Sequence, residues 1–526
     1  MQGNLDTNKF KNAWGEIVNR HSVFRTSFVW DGLDEPLQVV YKHGSLAISM
    51  MDWTSLNREQ QEEELQRYLT EDRKTGFNLS FPPLMRLVLV QSGEEEYSFV
   101  CTYHHMLLDG WSLSLILRQF QRLYMSGVDG ERAYLEISRP FSAYIRWLEQ
   151  KDEREMERFW KKELESFDSP TVLPSDNVLK KYDKTEYKER TVLLSEEVSW
   201  SVKAFALNHQ LTINTVMQGI WAMVLHHYSR KKDVLFGVTV SGREAEIAEI
   251  DTMVGSFINT LPLLVKMNGG QTLEEWFKGL QKKQAVLRKY EYSPLFQVQN
   301  WSTLPNGTPL FESLLVFENT PAEVASTSSG RKDLIIQEVI GKEQTNYPVT
   351  VLVVPGKRLS VKMMYDSGRF EDSFIEQIVY QIESLAERLQ ESASKKLEEI
   401  SLLSVSENQQ LLYDWNETKS PYSDDKPVHE LFEEQAARTP GAEAVVFEDE
   451  TLTYAEMNRR GNQLAHYLRQ QGVESESLVA ICMDRSADLI VALLGVLKAG
   501  GAYVPLDPSY PQERLAYMLA DSGASV

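Results

Sequence analysis

Apolar and polar positions along the first 400 residues alternate between two periods, one near 3.6 and one of 2. "NKFKNAWGEIVNRH" sets Phe10, Trp14 and Ile17 on one stripe and predicts an amphipathic helix close to the start. "RTSFVW" and "PLQVVY" are short β-branched and aromatic runs that read as strands. "SLNREQQEEELQRYLTEDRKTG" is a charged helix stopping at Gly76, and "PPLMRLVLVQSGEEEYSFVCTYHH" is a hairpin turning at Ser92-Gly93. A helix from about Ser112 follows, with Leu113, Ile116, Phe120 and Leu123 at helical spacing, then helices around "PFSAYIRWLEQ" and "EMERFWKKELESF".

"SPTVLPSDN" has two prolines and no period, and reads as a linker between lobes. Beyond it, "YKERTVLLS", "DVLFGVTVSGR", "ESLLVFEN", "YPVTVLVVPG" and "RLSVKMMYD" read as strands interleaved with helices. Two similar α/β lobes are the expectation. From about Lys395 to Lys426 the periodicity weakens. A third unit then begins near Val428, where "LVAICMD" and "GAYVPLD" flank the helix "SADLIVALLGVLKAG", as in the start of a parallel sheet.

The 526 residues are too many for one ordinary core. The net charge of −21, from 55 basic and 76 acidic residues, disfavours nucleic acid as a partner. No run of about eighteen apolar residues predicts a membrane span. The N-terminus lacks a signal peptide's apolar centre. The two cysteines, Cys101 and Cys482, lie in apolar runs and read as reduced core residues, which favours the cytoplasm.

The candidate chemistry lies in "FVCTYHHMLLDGWSLS". If Phe99 to His105 is extended, His104 and His105 point to opposite faces, so one histidine acts and the other supports. Gly110 permits a tight turn, Ser112 can cap the helix, and an aspartate buried there, Asp109, needs a cation. A metal site is disfavoured because neighbouring strand residues diverge and no Cys/His cluster adds ligands. A second pair, His226-His227, falls at a helix end, where cationic character suits the dipole. G-x-S-x-G, P-loop and G-x-G-x-x-G motifs are absent.

"HHMLLDG" resembles the HHxxxDG signature of condensation domains from nonribosomal peptide synthetases. "RHSVFRTSF", "YIRWLEQ", "VSGR" followed by "MVGSFINTLP", "YSPLFQVQNWS" and "LLVFENTP" follow the family's order. "LTYAEM" and "LKAGGAYVPLD" resemble the first motifs of an amino-acid adenylation domain. The implied fold is α/β: two chloramphenicol-acetyltransferase-like lobes in a V-shaped pseudodimer, then the start of an adenylate-forming domain. The boundaries expected are 1–168 and 169–395 for the lobes, 396–427 for a linker and 428–526 for the partial adenylation unit. The family's first motif and first strand would precede Met1. The phosphate loop, ribose-binding aspartate and catalytic lysine of adenylation domains are not in the sequence, so adenylation is not expected of it.

The resemblance implies an amide-forming acyltransferase working on thioesters. These are carried on the phosphopantetheine arms of an upstream donor and a downstream acceptor carrier protein. No cofactor is implied for the condensation unit itself, and ATP with Mg belongs to a full adenylation domain. His105 would be the acting histidine, with His104, Asp109 and Gly110 completing the motif. Arg243 would be the partner of Asp109, with Arg25 as further structural support. Trp111, Asn259 and Asn319 are candidate tunnel residues, Trp111 with packing as the stronger reading.

An α-amino group has a reference pKa of about 7.7–8.0, so much of it is free base near neutrality. Positioning and late proton transfer therefore suit the histidine better than a strict general-base step. "TLPLLV" carries Leu264 where related domains often have arginine, and the fifth region looks most like domains taking a D-configured donor. The rivals are an epimerization domain, which shares HHxxxDG, and a non-catalytic carrier-binding platform; a heterocyclization domain would replace the double histidine.

Overall fold

A computed structural model describes the chain except for residues 127–134, 136–137, 175–186, 306, 319–334, 338, 421–424 and 525. Two compact units emerge, Met1–Gln410 and Leu411–Val526.

The first unit opens with helix α1, Thr7–Arg20, capped by the Asp6 carboxylate, which accepts the Asn8 and Lys9 amides. Phe10, Ala13, Trp14, Ile17 and Val18 form its buried stripe. Strands β1 (Thr26–Val29) and β2 (Leu37–Val40) make an antiparallel hairpin. Strand β3 (Ile48–Asp52), helix α2 (Arg58–Thr75), β4 (Met85–Gln91) and β5 (Tyr97–Tyr103) follow. In the three-stranded sheet β3 runs parallel to β4, and β4 antiparallel to β5. Helix α3, Gly110–Met125, covers it beside α1. Tyr97, Phe99, Cys101 and Tyr103 all pack on the core between them, as period 2 requires.

Helices α4 (Ser142–Leu148) and α5 (Glu153–Glu163) lead to β6, Tyr187–Leu193. Strands β7 (Asp233–Val240), β8 (Asn259–Lys266), β9 (Ser313–Phe317), β10 (Val349–Val354) and β11 (Ser360–Asp366) complete a six-stranded sheet in the order β6-β11-β10-β9-β7-β8. Only β9 with β10 and β7 with β9 are parallel pairs in it. Among the described residues the sheets of this unit are therefore unequal, three strands and a separate hairpin against six. Met156, Trp160, Leu164 and Phe167, from the segment expected in the first lobe, are buried in the core of the larger sheet. Leu397 and Leu402 join that core too, so the stretch expected as linker begins inside packed structure.

In the second unit the strands Leu478–Cys482 and Ala502–Leu506 pair in parallel across the helix Ala487–Ala499, a βαβ crossover. Cys482 is exposed there rather than in a core. Burial pushes the Cys101 thiol up to about 12. Among the described residues no helix is long and apolar enough to cross a membrane.

Candidate active site

Strand β5 stops at Tyr103, two residues short of the extent expected from the sequence. The His104 amide still donates to Leu84 O at 3.0 Å, which extends the β4–β5 pairing by one residue. His105 already stands in the turn and is exposed, so strand alternation does not govern its direction. The turn is closed on itself by two bonds from the chain just beyond. Leu107 N–H donates to His104 O at 2.9 Å, and Met106 N–H donates to His104 Nδ1 at 3.2 Å. Burial, and then the neighbouring His105, hold the His104 imidazole below its ordinary range.

The other end of the turn is built differently. Asp109, not Ser112, is the helix cap: its Oδ1 accepts the Ser112 amide at 2.7 Å, and Gly110 is the first helical residue. Its Oδ2 accepts the Phe257 amide at 3.0 Å. Arg243 Nη2 lies 3.3 and 3.4 Å from the two carboxylate oxygens. Asp109 is 3% exposed and Arg243 8%, so both charges are desolvated and each is the other's compensation. Burial draws the guanidinium below its usual range and Asp109 opposes that. Arg243 Nη1 also donates to the carbonyls of Ile250 and Met253, at 2.8 and 3.0 Å. Its plane lies over the Phe257 ring, Cζ at 4.1 Å, while its Nε–H has no hydrogen-bond partner.

Ser112, whose sequence signal was only that of a cap, bridges the two segments. Its Oγ accepts from Arg243 Nη2 at 2.8 Å and from Gly255 N–H at 3.1 Å, and donates to Gly255 O at 2.7 Å. Two glycines let the segment around Arg243 come this close. Gly242 has φ +65°, and a Cβ there would stand 1.9 Å from Phe257 O. A Cβ on Gly255 would meet the Phe141 ring at 2.1 Å.

The remaining expected residues are placed elsewhere or otherwise. Arg25 donates to the carbonyls of Val18, Asn19, Tyr41 and Lys42, tying α1 to the β1–β2 hairpin and not to the turn. Trp111 Nε1 donates to Asp251 O at 3.0 Å, a further tie between the same two segments. Asn259 Nδ2 donates to the carbonyls of Glu291 and Ser293, at 2.8 and 2.7 Å, so its amide is committed to the backbone. Asn319 lies outside the described residues. Leu264 is fully buried in β8, where its apolar side chain fits the core. His227, expected to favour charge at its helix end, is instead held low by burial and by Arg230. Among the described residues no group of three or more His, Cys, Asp or Glu side chains is arranged to hold a metal.

The family model described as "Condensation domain" matches residues 1–412, and that of "AMP-binding enzyme" matches 432–526. The chain is 44% identical to a linear gramicidin synthase protein of Brevibacillus parabrevis, over 99% of its own length and 10% of that protein. It is 36% identical to bacitracin synthase 3 of Bacillus licheniformis, over 100% of its length and 8% of that protein. It thus spans about a tenth of these curated relatives. Among solved structures, a four-domain nonribosomal peptide synthetase bound to AMP and glycine superposes with a TM-score of 0.76 at 20% identity, over 100% of this chain and 40% of that one. The X-domain from teicoplanin biosynthesis superposes with a TM-score of 0.65 at 18% identity, over 76% of this chain and 91% of that one. At these identities the structural matches speak to the fold.

Proposed function

The chain belongs to the condensation-domain family of nonribosomal peptide synthetases, followed by part of an AMP-binding unit, and from that premise we propose that residues 1–410 join two carrier-bound thioesters through an amide bond. One observation carries the reading. An exposed imidazole, His105, stands at the open end of β5, on a turn whose far end is locked by the buried Asp109–Arg243 pair.

In the proposed reaction the acceptor's α-amine attacks the donor's thioester carbonyl. The C–N bond forms, the C–S bond breaks, and the donor's phosphopantetheine thiol leaves. The free amine supplies its own lone pair, so His105 orients it and takes the proton released as the tetrahedral intermediate collapses, then returns it to the departing sulfur. Asp109, Arg243 and Ser112 act on the backbone of the turn and move no proton. Carrier proteins bearing phosphopantetheine are the partners this requires. No nucleotide chemistry is assigned to the second unit.

The test uses the purified chain with one carrier loaded as donor and one as acceptor, the product being read by mass spectrometry. His105→Ala should lower amide formation at least about 100-fold. Undiminished product in the variant would overturn the reading. So would exchange of an α-hydrogen on a single loaded carrier without amide formation, which is the signature of an inverting enzyme.

A further inference from the structure

A second ion pair, Arg86–Asp72, adjoins the strand pair that leads into the histidines. Arg86 lies on β4 opposite Thr102 of β5. Its guanidinium is held on three sides: Nε donates to Asp72 Oδ1 at 2.6 Å, Nη2 to Asp72 O at 2.9 Å and Nη1 to Gly76 O at 2.6 Å. Asp72 is buried near the end of α2, and Gly76, at φ +60°, ends that helix. Fixed in this way, the guanidinium lies over the face of Phe77 with Cζ at 4.1 Å from the ring centroid. The Phe77 ring in turn meets the His104 ring edge-to-face, with centroids 6.3 Å apart and planes at 86°.

The contacts of His104 make its orientation consequential. Its Nδ1 accepts the Met106 amide, and Met106 is the residue after His105. A protonated Nδ1 would face that N–H with a second N–H, so the bond exists only with the ring neutral and correctly turned. We infer that Asp72, Arg86 and Phe77 are positioning residues that orient His104 and, through the Met106 amide, fix the backbone on which His105 stands. This rests on the role given to His105 above.

The groups near His104 agree with it. His105, on the same turn, acts against a charge on it, and behind Phe77 the Asp72 carboxylate is engaged by Arg86; the acidic groups felt by the neighbouring Tyr103 are Glu343, Asp109 and Glu318. Burial against Phe77 acts in the same direction, towards the neutral ring.

Phe77→Leu keeps apolar bulk and removes the ring edge; Arg86→Lys keeps the charge and removes the fork. Two readouts are taken on the full chain: amide formation from loaded carriers, and the titration of His104 followed by carbon-13 histidine NMR. For Phe77→Leu, kcat should fall about tenfold with the KM for the acceptor carrier unchanged, and the His104 titration should move up towards the ordinary imidazole range. Arg86→Lys should shift both in the same direction by less, and Phe77→Tyr should recover most of the loss. An unmoved His104 titration, or a Tyr variant no better than Leu, would overturn the inference. The titration needs no turnover, so it stands or falls separately from the peptide-bond reading, which His105→Ala decides.

Discussion

Between His104 and Gly110 the chain passes from an exposed imidazole to a carboxylate that is 3% exposed, and the two ends are supported by different physics. The histidine end is held by one strand-type hydrogen bond, two local turn bonds and a ring edge. The aspartate end is held across 134 residues of sequence by a buried ion pair, with Ser112 and the backbone of Gly255 and Phe257 completing its hydrogen bonds. An exposed imidazole costs the fold little and leaves a nitrogen accessible. A buried charge is tolerated only where every neighbour is in place. With the role proposed for His105, stability is concentrated at one end of the turn and reactivity at the other, so substitutions at the two ends should separate in what they damage.

The largest effect expected is at the buried end. Asp109→Ala leaves the Arg243 guanidinium without its counter-charge and should cost about 3–5 kcal/mol of stability, read by denaturant unfolding of the first unit. A loss comparable to an exposed substitution would break the comparison.

A buried histidine supplies the next contrast with exposed His105. His21 is 6% exposed, its Nε2 lies 2.7 Å from Gln119 Oε1, and burial lowers it from 6.5 to about 4. Between those values the unfolded chain binds a proton that the folded chain does not. Stability should therefore fall as pH is lowered from 6.5 towards 4, by about 3 kcal/mol from this group. His21→Gln should flatten that slope in urea titrations at stepped pH, and an unchanged slope would assign the acid sensitivity elsewhere.

Ser112→Ala should cost less, about 1–2 kcal/mol, because it strips one partner from Arg243 and one from the Gly255 amide but leaves the ion pair itself. Thermal unfolding beside Asp109→Ala tests that ranking; an equal loss in both would show that the hydroxyl, not the carboxylate, organises the contact.

What the sequence made legible follows the same division. Periodicity marked the stripe of α1, the β4–β5 hairpin and the βαβ of the second unit, because each is decided by local alternation of apolar and polar side chains. A buried aspartate in need of a cation was readable from "HHMLLDG" alone, while Arg243 as that cation came from the family likeness. The bridging by Ser112 was not readable, since a serine near a helix start signals a cap whatever its hydroxyl touches. Nor was the partition of α5, whose apolar stripe says that it is buried and not against which sheet. Arg25 shows the converse limit: its motif is recognisable, but its partners are four backbone carbonyls of α1 and the hairpin region. The Phe77–His104 contact joins residues whose proximity is set by how α2 ends and β4 begins.

The separation between the two ends of the turn is tested most directly by one variant measured in two ways. His105→Ala should change the unfolding free energy by no more than about 0.5 kcal/mol, while amide formation from paired loaded carriers falls at least about 100-fold. A variant that unfolds readily, or one that still makes the amide at the original rate, would contradict the account.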